Sequence, residues 1–128
     1  MPATYTIDKG KRLVLSIGTG VLTANDMWTH QKQLVNDKDF DPNFSQLGDF
    51  TRVTEIAFTA DDVRRFAERS IFSPQSRRAF VATTDALYGM VRMFELLRDV
   101  RGEGQIRVFR DRDAALDWLF PEKARNRL

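Results

Sequence analysis

Polar and apolar residues alternate along Thr4-Tyr5-Thr6-Ile7-Asp8, turn through Asp8-Lys9-Gly10-Lys11, and resume as Leu13-Val14-Leu15-Ser16-Ile17. That period of two, broken by a glycine turn, predicts an opening β-hairpin. Gly18-Thr19-Gly20-Val21-Leu22 is expected to end the second strand. The period then lengthens. Thr23 supplies a helix N-cap, with Asp26 adding favourable charge in the first turn. A first helix is expected to run to about Asn36, with Met27, Gln31, Leu34 and Val35 on one face and Trp28 beside them.

Asp37–Phe44 reads as a loop from its Asp, Asn and Pro content. A short central strand is expected around Gln46–Phe50, followed by a connecting segment. Thr59 or Ala60 opens a second helix, with Val63, Phe66, Ala67 and Ile71 inward, stopped by Phe72-Ser73-Pro74. Arg78–Thr83 predicts a strand, and Asp85 caps a third helix with a Leu87, Met90, Val91, Phe94, Leu97 stripe. Arg101-Gly102-Glu103-Gly104 predicts a turn, Ile106–Phe109 the last strand, and Asp113–Leu119 a final short helix. The predicted fold is α/β in the order ββαβαβαβα, one domain over residues 1–120 with a basic tail at 121–128. Its sheet has four to five strands, mixed but mostly parallel, because strand–helix alternation favours parallel pairing.

Composition narrows the chemistry. The chain has 128 residues and no cysteine, which excludes thiol catalysis, disulfides and Cys-ligated zinc. Its one histidine, His30, has no second ligand at helical spacing, so it reads as solvated or half-buried, and no metal or cofactor is expected. The net charge of +2 is too small to point to nucleic acid. It is unevenly spread: residues 1–64 hold 7 basic and 9 acidic side chains, residues 65–128 hold 13 and 9. No signal peptide or membrane-spanning apolar run is apparent, so the expected location is cytoplasmic.

Residues 47–63 carry a pattern that resembles the STAS domain of bacterial anti-sigma-factor antagonists and sulfate-transporter tails. Asp49-Phe50-Thr51-Arg52-Val53-Thr54-Glu55-Ile56 matches that family's strand-end phrase. Ala57-Phe58-Thr59-Ala60 occupies the place of its Asp-Ser-Ser-Gly phrase, with Thr59 where the phosphorylatable serine lies and without the Asp and Gly. Residues 3–120 also resemble a STAS/SEC14-like bacterial branch. That likeness rests on the opening hairpin with Gly18 and Gly20, Arg78-Ala79-Phe80-Val81, Tyr88-Gly89 with Arg92-Met93-Phe94, and Ile106-Arg107-Val108-Phe109-Arg110-Asp111. The resemblance implies a STAS-like fold; it assigns no activity.

Thr59 is the candidate phospho-switch, weighed against an ordinary N-cap worth about 1 kcal/mol. Asp49, Arg52, Phe58, Arg65, Tyr88 and Arg92 are candidate interface or ligand-binding residues. Arg64, Arg65, Arg69, Arg77 and Arg78 are weighed as an anion site against a solvated face paired with Glu68 and Asp61. Gly18-Thr19-Gly20 lacks a dinucleotide or P-loop fingerprint and reads as a sharp strand end; Asp37, Asp39 and Asp41 lack the Gly and Glu of a calcium loop. Gly89 inside a helix calls for close packing to offset its ~1 kcal/mol cost.

The leading expectation is a non-enzymatic regulatory or protein-interaction module acting through residues 57–66. The alternative is a carrier of a small apolar or amphipathic ligand between the sheet and the third helix. An enzyme built on Asp49, Arg52 and Tyr88 has no nucleophile–base spacing behind it. A protein partner is expected, and homodimerisation through the hairpin edge is a further candidate.

Overall fold

The computed structural model describes residues 2–126. Strands β1 (Ala3–Asp8) and β2 (Leu13–Thr23) form the opening hairpin. Asp8 closes its turn by accepting from the Lys11 amide at 3.0 Å. Three parallel strands follow: β3 (Ser45–Ala57), β4 (Arg78–Val81) and β5 (Ile106–Phe109). The five strands lie side by side in sequence order. The sheet therefore advances in one direction, and right-handed crossovers put α1 (Ala24–Val35), α2 (Ala60–Phe66) and α3 (Asp85–Val100) over one face. Helix α4 (Arg112–Leu119) covers the other face at β3, β4 and β5, followed by α5 (Pro121–Asn126). Among the described residues no helix is long and apolar enough to cross a membrane.

Strand alternation divides the core. Phe80 points to the three-helix face with Leu22, Val63, Leu87 and Phe94. Its neighbours Ala79 and Val81 pack with Leu13, Leu47, Ala115 and Leu119 under α4. A third cluster, Val14, Leu34, Phe44 and Phe72, closes the base of α1. Gly48 lies beneath Phe80: a Cβ there would stand 2.7 Å from the ring's Cε1. Glycine is the residue that lets this ring lie flat on the central strand.

Several boundaries differ from expectation. Strands β2 and β3 run on to Thr23 and Ala57, so Gly18-Thr19-Gly20 is not a strand end. It is a bulge in a continuing strand, with register shifts on either side and Gly20 at a φ of 61°. Helix α2 stops at Phe66, where the Glu68 amide turns to the Arg65 carbonyl at 3.2 Å, and the Ala67 carbonyl is taken by the Arg98 guanidinium at 2.8 Å. Ile71 and Phe72 are therefore loop residues, and Phe72 is pressed into the third cluster against Phe40. Thr84, not Asp85, caps α3, accepting from the Leu87 amide. Residues 121–126, read as tail, form α5, and residues 127 and 128 lie outside the described residues.

Candidate functional site

An open cavity of about 70 Å³ lies between the sheet and the three helices. Leu22 and Phe50 form its floor, Met27 and Phe66 one wall, and Leu87 and Val91 the opposite wall; every lining side chain is apolar. Phe80 stacks on Phe50 at 5.9 Å and meets Phe94 edge-on at 6.1 Å. Trp28, 45% exposed, covers Phe66 from outside at 4.9 Å. Helix α2, whose Val63 and Phe66 line the cavity, has only seven residues. A water needs about 10–15 Å³ by the same kind of measure, and a space without polar partners does not hold water well. The cavity is larger than a packing gap, and its half-open apolar lining offers water no polar partner.

A second lobe of about 60 Å³ adjoins it, and Leu22, Met27, Phe50, Phe66 and Phe80 line both. This inner lobe, so called for its buried polar end, is itself half open past Ala3, Ile17 and Gln31; it differs in chemistry because Ser16, His30 and Gln46 open onto it. These three side chains begin a buried chain of hydrogen bonds. His30 Nε2 lies 2.9 Å from Ser16 Oγ, and Gln46 Nε2 donates to the same oxygen at 3.0 Å. Arg78 Nε donates to Gln46 Oε1 at 3.0 Å, and its Nη1 donates to Glu103 Oε1 at 2.7 Å. Arg98 approaches the other Glu103 oxygen, Oε2, at 3.0 Å and 2.9 Å. Arg78 and Glu103 are 3% and 1% exposed. The Arg78 guanidinium also lies 4.4 Å from the Phe72 ring centre, and Phe80 and Phe94 flank it.

The polarity of this chain follows from its ends. A guanidinium can only donate, so Gln46 presents its oxygen to Arg78 and its NH2 to Ser16. The Ser16 hydroxyl is then free to donate to a neutral His30. Burial, then repulsion from Arg78, lowers the His30 pKa to about 4. The unfolded side chain titrates near 6.5, so between the two values the unfolded chain binds the extra proton. Stability from this site is complete above about pH 6.5 and is lost as pH falls toward 4, by at most about 3 kcal/mol. Urea midpoints measured from pH 7 to pH 4 are expected to fall, and His30→Gln to flatten that interval. Asp37, Asp49 and Asp61, all held below the ordinary carboxylate range, act at lower pH.

Ser16 and His30 form a nucleophile–base contact that the sequence reading did not find, because the two residues lie on a strand and a helix. The contact is a poor catalytic dyad. A base with a pKa near 4 takes little of a serine proton at neutral pH, and the Ser16 oxygen already accepts from Gln46. It places a hydroxyl, an imidazole and an amide at one end of a largely apolar space.

The candidate residues chosen from sequence do not converge. Of them, Phe58 alone lines the apolar cavity, as a buried plug after β3. Thr59 is exposed and caps α2 in a reciprocal box with Asp62: its oxygen accepts from the Asp62 amide at 3.2 Å, and its own amide donates to the Asp62 carboxylate at 2.8 Å. Thr59→Ala is expected to lower stability by about 1 kcal/mol in urea titration, and Thr59→Ser to be nearly neutral. Asp49 points to the α4 face, where it takes a 2.7 Å bond from Arg112 and two from Thr51. Burial raises its pKa, but these bonds outweigh it and hold the group below the usual range. Arg52 is exposed on β3. Arg65 pairs with Asp61 at 2.8 Å, Arg92 with Glu95, and Tyr88 stacks under Arg110 at 4.1 Å.

The arginine group also divides. Arg64 and Arg65 share Asp61 on the exposed face of α2, as the solvated reading holds. Arg77 covers Trp118 at 5.0 Å under the opposite face. Arg78 is not solvated at all; it is the centre of the buried network. Gly89 meets no heavy atom within 4 Å of a built Cβ, so close packing within the chain does not explain it. Among the described residues no group of three acidic or histidine side chains is placed to hold a metal ion.

No family model matches the sequence, and no curated protein matches it. Among solved structures, the chain is similar to an uncharacterized protein of the DUF3478 family, with a SpoIIAA-like fold, from Shewanella loihica PV-4. The two share 19% identity over 91% of this chain and 93% of that one, with a TM-score of 0.58. At that identity the likeness concerns the fold, and the fold is the SpoIIAA-like, STAS-like one that residues 47–63 resemble in sequence.

Proposed function

We propose that this chain is a non-enzymatic binding module that carries a small apolar or amphipathic ligand between its sheet and helices α1, α2 and α3. The observation that supports this reading is the open, wholly apolar cavity at the centre of the three-helix face. Its size limits the occupant. At about 70 Å³ it is roughly half the ~150 Å³ of a dry cavity known to take benzene, and the inner lobe adds a comparable space behind Met27. Methionine is unbranched and repacks readily, so the lobes can join around a ligand of about ten heavy atoms. A full-length lipid chain does not fit.

The test is an amide-resolved NMR titration with toluene, a probe with no polar group. Binding is expected in the ~0.1–1 mM range, with shifts confined to residues around Phe58, Phe66 and Leu87. Val91→Phe fills the outer lobe and is expected to abolish those shifts in a protein that remains folded by circular dichroism. No shifts in the unmodified protein would refute the carrier reading. Contact with a protein through residues 57–66 is the second reading, favoured by the half-exposed Trp28 against Phe66. The phosphorylation form of that reading is disfavoured, because Asp62 already occupies the Thr59 cap and would repel a phosphate.

A further inference from the structure

The inner lobe ends on a hydroxyl, an imidazole and an amide and sits beside a charge that its surroundings do not balance. Arg78 and Arg98 share the single carboxylate of Glu103. One positive charge is therefore in excess in the buried network that runs through Gln46 and Ser16 to His30. Phe80 and Phe94, which flank Arg78, also line the apolar cavity, so the charge lies one ring behind its wall. Charge this deep is screened weakly and favours an anion nearby.

Resting on the carrier reading above, we propose that the inner lobe is a head-group subsite and that the ligand is a small amphipathic monocarboxylate, an arylacetic or branched aliphatic acid. Its carboxylate lies at Ser16 and His30, and its apolar body fills the outer lobe. The hydrogen bonds can rearrange to suit it. Gln46 keeps donating to the Ser16 oxygen, the Ser16 hydroxyl turns from His30 to one carboxylate oxygen, and His30 in its Nε2–H form donates to the other. The Gln46 amide, the Ser16 hydroxyl and the His30 Nε2–H all keep a partner, and the excess positive charge gains a counterion. A neutral alcohol or amide of the same shape takes the same space without that gain.

Matched probes test this. Phenylacetate, phenylacetamide and 2-phenylethanol are titrated at pH 7 against the intact chain, alongside toluene. Phenylacetate is expected to bind about tenfold or more tighter than the amide or the alcohol, the scale of one charge-assisted hydrogen bond. Ser16→Ala and His30→Gln are each expected to erase that preference while leaving toluene affinity within about twofold. Equal affinity for acid and amide, or a preference that survives both substitutions, overturns the proposal. If toluene binds and the acid is not preferred, the subsite fails and the carrier reading stands; if toluene does not bind, both fail.

Discussion

Glu103→Ala is expected to destabilise the chain by about 3–5 kcal/mol, against the roughly 5–15 kcal/mol of a typical domain. Glu103 is 1% exposed and neutralises one of two buried guanidiniums, so its removal leaves Arg78 and Arg98 facing each other in the interior. The loss comes from uncompensated burial more than from the bonds themselves. Burial pulls the Arg78 pKa down while Glu103 pushes it up, and removing the carboxylate leaves burial unopposed. Replacing all three charges together, as Arg78→Met, Arg98→Leu and Glu103→Leu, is therefore expected to recover most of the lost stability. Urea unfolding of both variants checks the pair of outcomes. A loss under about 1 kcal/mol for Glu103→Ala contradicts this picture of the network.

Phe80→Ala is the second large effect, at about 3–5 kcal/mol. The ring lies over Gly48, stacks on Phe50, meets Phe94 and lines both lobes, so its loss opens them into one space. Part of the damage is reversible by mass action. Indole at ten times its Kd is expected to restore about 1.4 kcal/mol to this variant, read as a rise in its thermal midpoint. If indole raises the unmodified protein's midpoint as much, Phe80 is not the divider between the lobes.

The hairpin, the strand–helix order and the Thr23 cap are legible in the alternation of polar and apolar residues alone. All three rest on local chemistry within a few residues. The expected β3 ends near Phe50, although Thr51, Val53, Thr54 and Ile56 are β-branched residues that continue it to Ala57. The STAS-like phrase draws attention to a connecting segment there instead. The end of α2 is not readable, because the group that takes its cap carbonyl is a guanidinium thirty-one positions away.

The site is the least legible part. Ser16, His30, Gln46, Arg78, Arg98 and Glu103 come from six separate places in the chain, and each has an ordinary reading where it stands. Arg78 opens a short strand, and Glu103 lies between two glycines in a turn. One signal is present. Arg78 begins a four-residue strand flanked by strands on both sides, where both faces are covered and every position is buried. An arginine in such a strand needs a buried carboxylate, and the turn after α3 supplies it. Thr59, by contrast, attracts notice for a family likeness, and its neighbours give it a capping role.

The most direct measurement is a crystal structure of the protein under xenon pressure. One or more xenon atoms are expected in the space bounded by Leu22, Phe58, Phe66 and Leu87, with the surrounding side chains little moved. A xenon-free interior, with Phe66 and Met90 collapsed into that space, contradicts the carrier reading.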